Sequence, residues 1–518
     1  MNVTFVACVE EFLGLEYISA VLKQHGHSTT LVFDPVLFAD TYVNSPILKR
    51  MFDLTDKVVT RILDTTPDLV AFSVMTEHYP WASRIAQSLK QRSTVPILFG
   101  GPHPTLLPER VISKPFVDFA CVGEGEYPTL ELVRWLGSGR TTPLPIPNML
   151  IKHGNTIHRG PVRELLSDLD ALPISDKALF YDQVPVMARQ YTVIIGRGCP
   201  FGCTFCCNNA FRQIYRGKGK YLRWRTVDNV MTELKAAKQT YRFRKVAFFD
   251  DVFTFDKEWI KQFLSRYRAE VKVPFTCIVH PRMIDETIVE MLADAGCKGI
   301  QMGVQTVNEK SRKTVVGRPE TNNEIGRSIR MIRDAGICVT VDHILGIPRE
   351  GAQEQEEAIE FYNTYRPHLI NLFWLAHYPA TKMLEIAQKT GELTPEDVEK
   401  IEEGQTGSII WSGTVRNREP FKPYVAVLNL LPFLPQSFVR WLARGKRYWM
   451  LRWIPNLLQV VVPRFYSSLF LNDLRSRNHW VRMIYLSYYF IKFKFGALPK
   501  PATQKSTTSR NRPSAVSF

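Results

Sequence analysis

At 518 residues, 45% of them apolar and 22% charged, the chain is too long for one compact domain and too apolar to be disordered. The net charge is +16, but from residue 421 onward sixteen Lys and Arg stand against one acid, Asp473, so the first 420 residues are close to neutral. The overall basicity therefore says nothing about the body of the chain, and it assigns an anionic partner to the C-terminal segment.

The opening MNVTFVACVEEF lacks a basic stretch, an apolar stretch and a small-residue cleavage site, so it reads as a first strand rather than a secretory signal. Residues 1–140 alternate short apolar runs (VTFVAC, STTLVF, DLVAFSV, VPILFGG, VDFACVG) with helical stretches such as LEYISAVLKQHG. Near-continuous apolar strands between helices predict a doubly wound parallel sheet. Residues 141–188 read as a Pro-rich linker holding a small hairpin, MLIKHGNTIH.

A second β/α series fills residues 189–400, with strands YTVIIGR, KVAFFDD, VPFTCIV, CKGIQMGVQ, CVTVDHILG and LINLFWL. Six such units predict a partial (β/α)6 barrel, with functional loops at the C-terminal ends of the strands. Residues 401–500 mix Trp, Tyr, Phe and Leu with Arg and Lys in a helical rhythm, and 501–518 are Ser/Thr-rich and expected to be disordered.

Nine cysteines, an odd number and mostly scattered, do not form a disulfide framework and fit a reducing cytoplasm. The exception is the group Cys199-Pro-Phe-Gly-Cys203-Thr-Phe-Cys206 after the first barrel strand. Three thiolates at these spacings suit three irons of a [4Fe–4S] cluster and leave one iron open. A zinc loop is the alternative, and Cys207 is an alternative fourth ligand.

The stretch RGCPFGCTFC resembles the signature of the radical S-adenosylmethionine superfamily. The resemblance implies that S-adenosylmethionine binds the open iron and is split to a 5′-deoxyadenosyl radical by an electron from a donor such as flavodoxin or ferredoxin. It also implies cofactor-positioning roles for Asp250 or Asp251 after the second strand, Arg282 after the third, Gln305 on the fourth, and Gly346 and Pro348 in the turn after the fifth. The bland readings are that Asp250 and Asp251 cap the next helix and that His280 and His343 are structural.

Residues at the C-terminal edge of the first sheet form a second group: Ser73, Gly100, Gly101, His103, Gly123, Glu124 and Gly125. Ligands bind at that edge in doubly wound folds. GGPHPTLLPE and VGEGEYPTLELV look like the cobalamin-binding domain that precedes many radical S-adenosylmethionine barrels, which implies a Rossmann-like cobalamin module over residues 1–140. One departure is plain: no Asp-x-His-x-x-Gly loop follows the first strand, which runs Val9-Glu10-Glu11-Phe12-Leu13-Gly14.

In the C-terminal segment, WIPNLLQVVVP and MIYLSYYFI are too short to span a bilayer, for which about 20 apolar residues are needed. Their company of Trp, Tyr, Lys and Arg suits the lipid–water interface, so docking on the inner face of the membrane is expected. The other reading is a helical cap on the barrel. Nucleic acid is the less favoured anionic partner, since no nucleic-acid-binding fold is recognisable. The resemblance implies methylation of an unactivated carbon, and the expected substrate is hydrophobic: a lipid, isoprenoid or hopanoid-like molecule. The alternatives are a radical ring-forming oxidation of a tetrapyrrole and a cobalamin and iron–sulfur sensor without catalysis.

Overall fold

The computed structural model describes residues 1–37, 46–139, 145–154, 156–451, 453–470 and 473–498. The expected tail, 501–518, lies outside the described residues, as do positions 141–144 of the Pro-rich stretch. All five N-terminal runs form strands: β1 (Asn2–Cys8), β2 (Ser28–Asp34), β3 (Leu69–Ser73), β4 (Ile97–Gly100) and β5 (Phe119–Cys121). They pair in parallel in the order β2-β1-β3-β4-β5. Helices cover both faces, which is why almost every strand residue is buried and the runs are continuously apolar.

The hairpin β6 (Met149–His153) and β7 (Thr156–Arg159) is not free-standing. β6 pairs antiparallel with β5, so the sheet has seven strands and continues past the boundary drawn at residue 140. Met149, Leu150 and Ile151 are buried there on both sides of the sheet, whereas β7 is largely exposed at the edge.

The second unit starts with β8 (Gln190–Val193). The run YTVIIGR then breaks, and β9 (Gly196–Arg197) pairs instead with β10 (Arg223–Trp224) across the cysteine loop. The parallel barrel sheet has the order β15-β14-β13-β12-β11-β8. Its members are β11 (Lys245–Phe248), β12 (Phe275–Val279), β13 (Cys297–Gln305), β14 (Cys338–Leu345) and β15 (Leu369–Trp374). The helices between strands begin where side chains satisfy their free amides: Asp256, Asp285 and Thr321 accept from Trp259, Ile288 and Glu324. Each such cap contributes about 1 kcal/mol.

Six strands leave the barrel open between β15 and β8. The C-terminal helices Asn456–Phe470 and Leu474–Lys494 lie across that opening: Arg464 reaches Asn371 of β15 at 2.7 Å, and Lys245 of β11 donates to the carbonyl of Leu474 at 2.8 Å. The second helix also buries Tyr489, Phe490 and Phe493 against the first domain, with Tyr489 edge-on to Phe33 and Phe490 against Phe52. The cap reading of this segment is thus the one its inner faces follow.

Beneath the first domain, the buried ammonium of Lys177 meets Glu11 and Glu16, each at 2.7 Å, and Glu16 is fully buried. Replacing Lys177 by Met would leave two buried carboxylates without their cation. The variant should lose about 3–5 kcal/mol of stability, read as a lower urea midpoint of the apoprotein; an unchanged midpoint would show the pair to be dispensable.

Candidate functional site: two cofactor modules facing one another

The cysteine loop sits at the mouth of the barrel, and each of its sides is tied down. Arg212, on the helix Cys207–Ile214, donates to the carbonyls of Cys199 and Phe201. Thr204 donates through its amide to Val316 at 3.0 Å and through its hydroxyl to Val315 at 2.6 Å, and its carbonyl accepts from Met383. Burial pushes the thiols of Cys199 and Cys203 up to about 12 and 11, and Cys206 is also raised. Cys203 and Cys206 each add to the rise at Cys199, so the three thiols lie within electrostatic reach of one another. Arg318 opposes the shift at Cys203 and Cys206.

No group of three His, Cys, Asp or Glu among the described residues is arranged to hold a single metal ion. Three thiols on one loop, with the Asp251 carboxylate within electrostatic reach of two of them, fit a multi-iron cluster with one thiolate per iron. Cys207, also raised to about 12 by burial, lies beside Cys206 and the carboxylate of Glu77.

The other sequence-predicted residues around the barrel mouth divide. Asp250 is buried and accepts the amides of Ile195 at 2.9 Å and Gly196 at 2.8 Å. It therefore anchors the chain leading into the cysteine loop, and Asp256 caps the following helix in its place. Burial lifts Asp250 to about 7, and those amides restrain the rise. Asp251 lies beside Cys199 and Cys206 and faces the loop directly.

Arg282 points outward to Glu324 at 3.3 Å on the surface, so its expected inward role is corrected. His280, two residues earlier, is the inward side chain. Its ring stacks on Phe201 of the cysteine loop, with centroids 3.6 Å apart and planes at 12°. His280 in turn lies 3.5 Å from Glu320, which pairs with Arg318. Sequence reading missed Arg318 and Glu320; the only local signal is the turn Gly317-Arg318-Pro319-Glu320.

Gln305 ends β13 in a left-handed conformation, φ 67°, at a register shift, and folds back over Gly303, where a Cβ would lie 2.4 Å from its amide nitrogen. Arg318 donates to the carbonyl of Gly303. Gly346 has φ 82°, and a Cβ there would strike Val415. Ile347 and the neighbouring apolar residues Val315, Val316 and Met383 pack against Phe205, so the Gly346–Pro348 turn abuts the cysteine loop.

A cavity of about 360 Å³ lies between the edge of the first sheet and this loop. Ser73, Gly100, Gly101, Gly123, Glu124 and Gly125 line it, as do Gly198, Asp250 and Asp251 from the barrel. His103 does not. The left-handed Gly101, φ 96°, turns the chain inward so that His103 is fully buried, 4.2 Å from the Tyr79 ring and 3.3 Å from the Thr76 hydroxyl. Burial pushes it down to about 4. Its expected cofactor contact is therefore corrected to a core role.

Glu124 is committed to Arg197 at 3.0 Å and Arg223 at 2.8 Å, and Glu126 pairs with Arg197 at 2.5 Å. Tyr215, at the end of the Cys207–Ile214 helix, accepts the amide of Glu124 at 2.8 Å and occupies the space where a Cβ on Gly123 would stand. Gly14, passed over in the sequence, also lines the cavity, and a Cβ there would meet nothing within 4 Å. The loop after β1 offers no imidazole, and its Glu11 is taken by Lys177. These are residues that suit a flat, bulky cofactor held by shape and backbone.

A Rossmann-like sheet and an open barrel, edge to edge over a three-thiol loop, define an enzyme that brings two cofactors to one cleft. The comparisons agree. Residues 6–133 match the B12 binding domain, and residues 193–362 match the radical SAM superfamily. The chain belongs to the cobalamin-dependent branch of the radical S-adenosylmethionine enzymes, and its cofactors are a [4Fe–4S] cluster, S-adenosylmethionine and cobalamin.

An uncharacterised methyltransferase of Pyrococcus horikoshii is 26% identical over 72% of this chain and 78% of its own. The anaerobic magnesium-protoporphyrin IX monomethyl ester cyclase of Rubrivivax gelatinosus is 24% identical over 70% of this chain, which spans 63% of that protein. The cobalamin-dependent S-adenosylmethionine radical enzyme OxsB shares the fold over 96% of this chain and 84% of its own, with a TM-score of 0.62 and 14% identity. The methyltransferase TsrM from Kitasatospora setae does so over 76% and 77%, with a TM-score of 0.59 and 17% identity.

Gly14→Leu should fill the cavity without straining the backbone. Cobalamin uptake, read from its visible absorbance, should fall by at least about tenfold, the effect of ~1.4 kcal/mol, with iron content unchanged. Undiminished uptake would place the cofactor elsewhere.

Proposed function

We propose that the chain methylates an unactivated carbon of a hydrophobic molecule. The observation that carries this reading is the position of a second cavity, about 490 Å³, between the edge of the first sheet, the barrel residue Tyr378 and the segment Gly404–Ile409. Tyr378, in its wall, is within electrostatic reach of Glu77, Cys207 and Cys206, which puts this cavity on the side of the cysteine loop, although no residue of that loop lines it. Leu37, Phe52, Leu54 and Trp81 form an apolar part of its wall, and the rest is largely polar, with Asp34, Asp53, Glu77, His78 and Arg84 among the lining groups. A substrate with a greasy body and a polar group fits this division.

When bound, the cluster with S-adenosylmethionine supplies a carbon-centred radical, and cobalamin supplies the methyl group. Cys199, Cys203 and Cys206 would hold the cluster. Asp251, Gln305 and the Gly346–Pro348 turn would position S-adenosylmethionine, and Ser73, Gly14, Gly100 and Gly125 would cradle cobalamin. The chain's own work is to orient these groups in one cleft and keep water from them. Phe201 on the His280 ring and Phe205 against the apolar cluster that contains Ile347 close the loop's flanks.

Ring-forming oxidation of a tetrapyrrole is the second reading, supported by the likeness to the Rubrivivax gelatinosus cyclase. The deciding experiment incubates anaerobically reconstituted protein with S-adenosylmethionine, a low-potential electron donor and a hydrophobic cell extract. Methyl transfer should yield S-adenosylhomocysteine and 5′-deoxyadenosine together, and both should vanish in Cys203→Ala. 5′-Deoxyadenosine alone would favour the oxidative reading, and neither product would overturn catalysis.

A further inference from the structure

We infer that the outer face of the two C-terminal helices docks on an anionic lipid bilayer. The inference stands apart from the methyl-transfer reading, because it concerns a surface remote in chemistry from the cysteine loop. The helix Asn456–Phe470 is amphipathic in the wrong sense for a soluble cap. It buries Gln459, Pro463, Ser467 and Ser468 against the protein and exposes Leu458, Val462, Phe465 and Leu469. The exposed positions are spaced four, three and four residues apart, which places them in one stripe along the helix.

The helix packed against it, Leu474–Lys494, repeats the pattern. Ile484, Tyr488 and Ile491 are exposed at the same spacing, and Phe495 continues the series just beyond the helix end. Leu486, Tyr489, Phe490 and Phe493 take the inner face. One apolar face suffices to close the barrel, and a second one turned outward calls for an apolar partner. Trp449 and Trp453, between the preceding helix Gln436–Arg444 and this pair, are exposed as well.

Charge selects the partner. Asp473 is the only acid after residue 421; it is buried and accepts the Ser467 hydroxyl at 3.0 Å. The described outer surface of this segment therefore carries cations and no anions. Arg440 and Arg444 are exposed, Arg447 lies 4.4 Å over the Trp441 ring, and Lys492 lies 4.6 Å over Tyr488. Basic groups interleaved with Trp and Tyr beside an apolar stripe match the interface of an anionic leaflet. A second copy of this chain would place cations against cations. Among the described residues no helix is long and apolar enough to cross a membrane, so the association lies in the plane of the interface.

Full-length protein should sediment with vesicles of phosphatidylglycerol and phosphatidylcholine, more weakly with phosphatidylcholine alone, and less as salt is raised. Leu458→Gln/Val462→Gln/Phe465→Gln should lower the bound fraction by about tenfold or more, with reconstituted iron and cobalamin content unchanged. Brominated phosphatidylglycerol should quench the tryptophan fluorescence of the unaltered protein, a readout that needs no variant. Absence of both sedimentation and quenching would overturn the inference. So would a dimer in size-exclusion chromatography that the triple variant dissolves, since the stripe would then face a second copy.

Discussion

The relation between the two modules depends on one charged contact: Glu124 and Glu126 of the first sheet's edge against Arg197 and Arg223 of the small β9–β10 pair. Arg197 stands two residues before Cys199, so where it is held largely decides where the first thiol lies relative to the sheet. Glu124 is held below the usual carboxylate range by both guanidinium groups, against a desolvation that pushes the other way. A buried pair of this kind adds little net stability, but breaking it leaves an uncompensated charge, at about 3–5 kcal/mol. Its value here is geometric, because a glutamate accepting from two forked guanidiniums admits few relative orientations.

Tyr215 adds a second tie at the same point. Its hydroxyl accepts the Glu124 amide, and its ring needs the missing side chain of Gly123. The helix that starts after Cys206 thus begins at the thiols and ends on the first sheet. Arg212, midway along it, grips the loop's carbonyls. Thr204 on the opposite side reaches Val315 and Val316. The loop is pre-shaped by neighbours that do not ligate, as a site for a reactive radical requires.

The C-terminal segment serves two surfaces with one stretch of chain. Its inner faces fill the gap left by a six-strand barrel, where Arg464 joins the network of Asn371, Asp342 and Gln301 inside the lumen. Its outer face keeps the apolar residues that an ordinary cap would bury. In the helix Leu474–Lys494 apolar residues stand on both sides, and packing alone separates Tyr489, Phe490 and Phe493 within from Ile484 and Ile491 without.

The sequence by itself determined the elements and the chemistry of the thiols. Period and apolar runs placed the strands of the two parallel sheets, whose covered faces make local pattern report burial directly, but not the short β9–β10 pair. The spacing of Cys199, Cys203 and Cys206 on one loop is likewise a local property. Tertiary structure alone decided which side chains point where. His103 turns into the core at a left-handed glycine, Arg282 leaves for Glu324 while His280 turns in, and Asp250 spends its carboxylate on two backbone amides. Arg318 and Glu320 enter the site from a segment more than a hundred residues along the chain, and Tyr215, close to the thiols in sequence, is spent on the first sheet instead. Those outcomes depend on which distant groups compete for each charge or hydrogen bond, and no window of neighbouring residues records that competition.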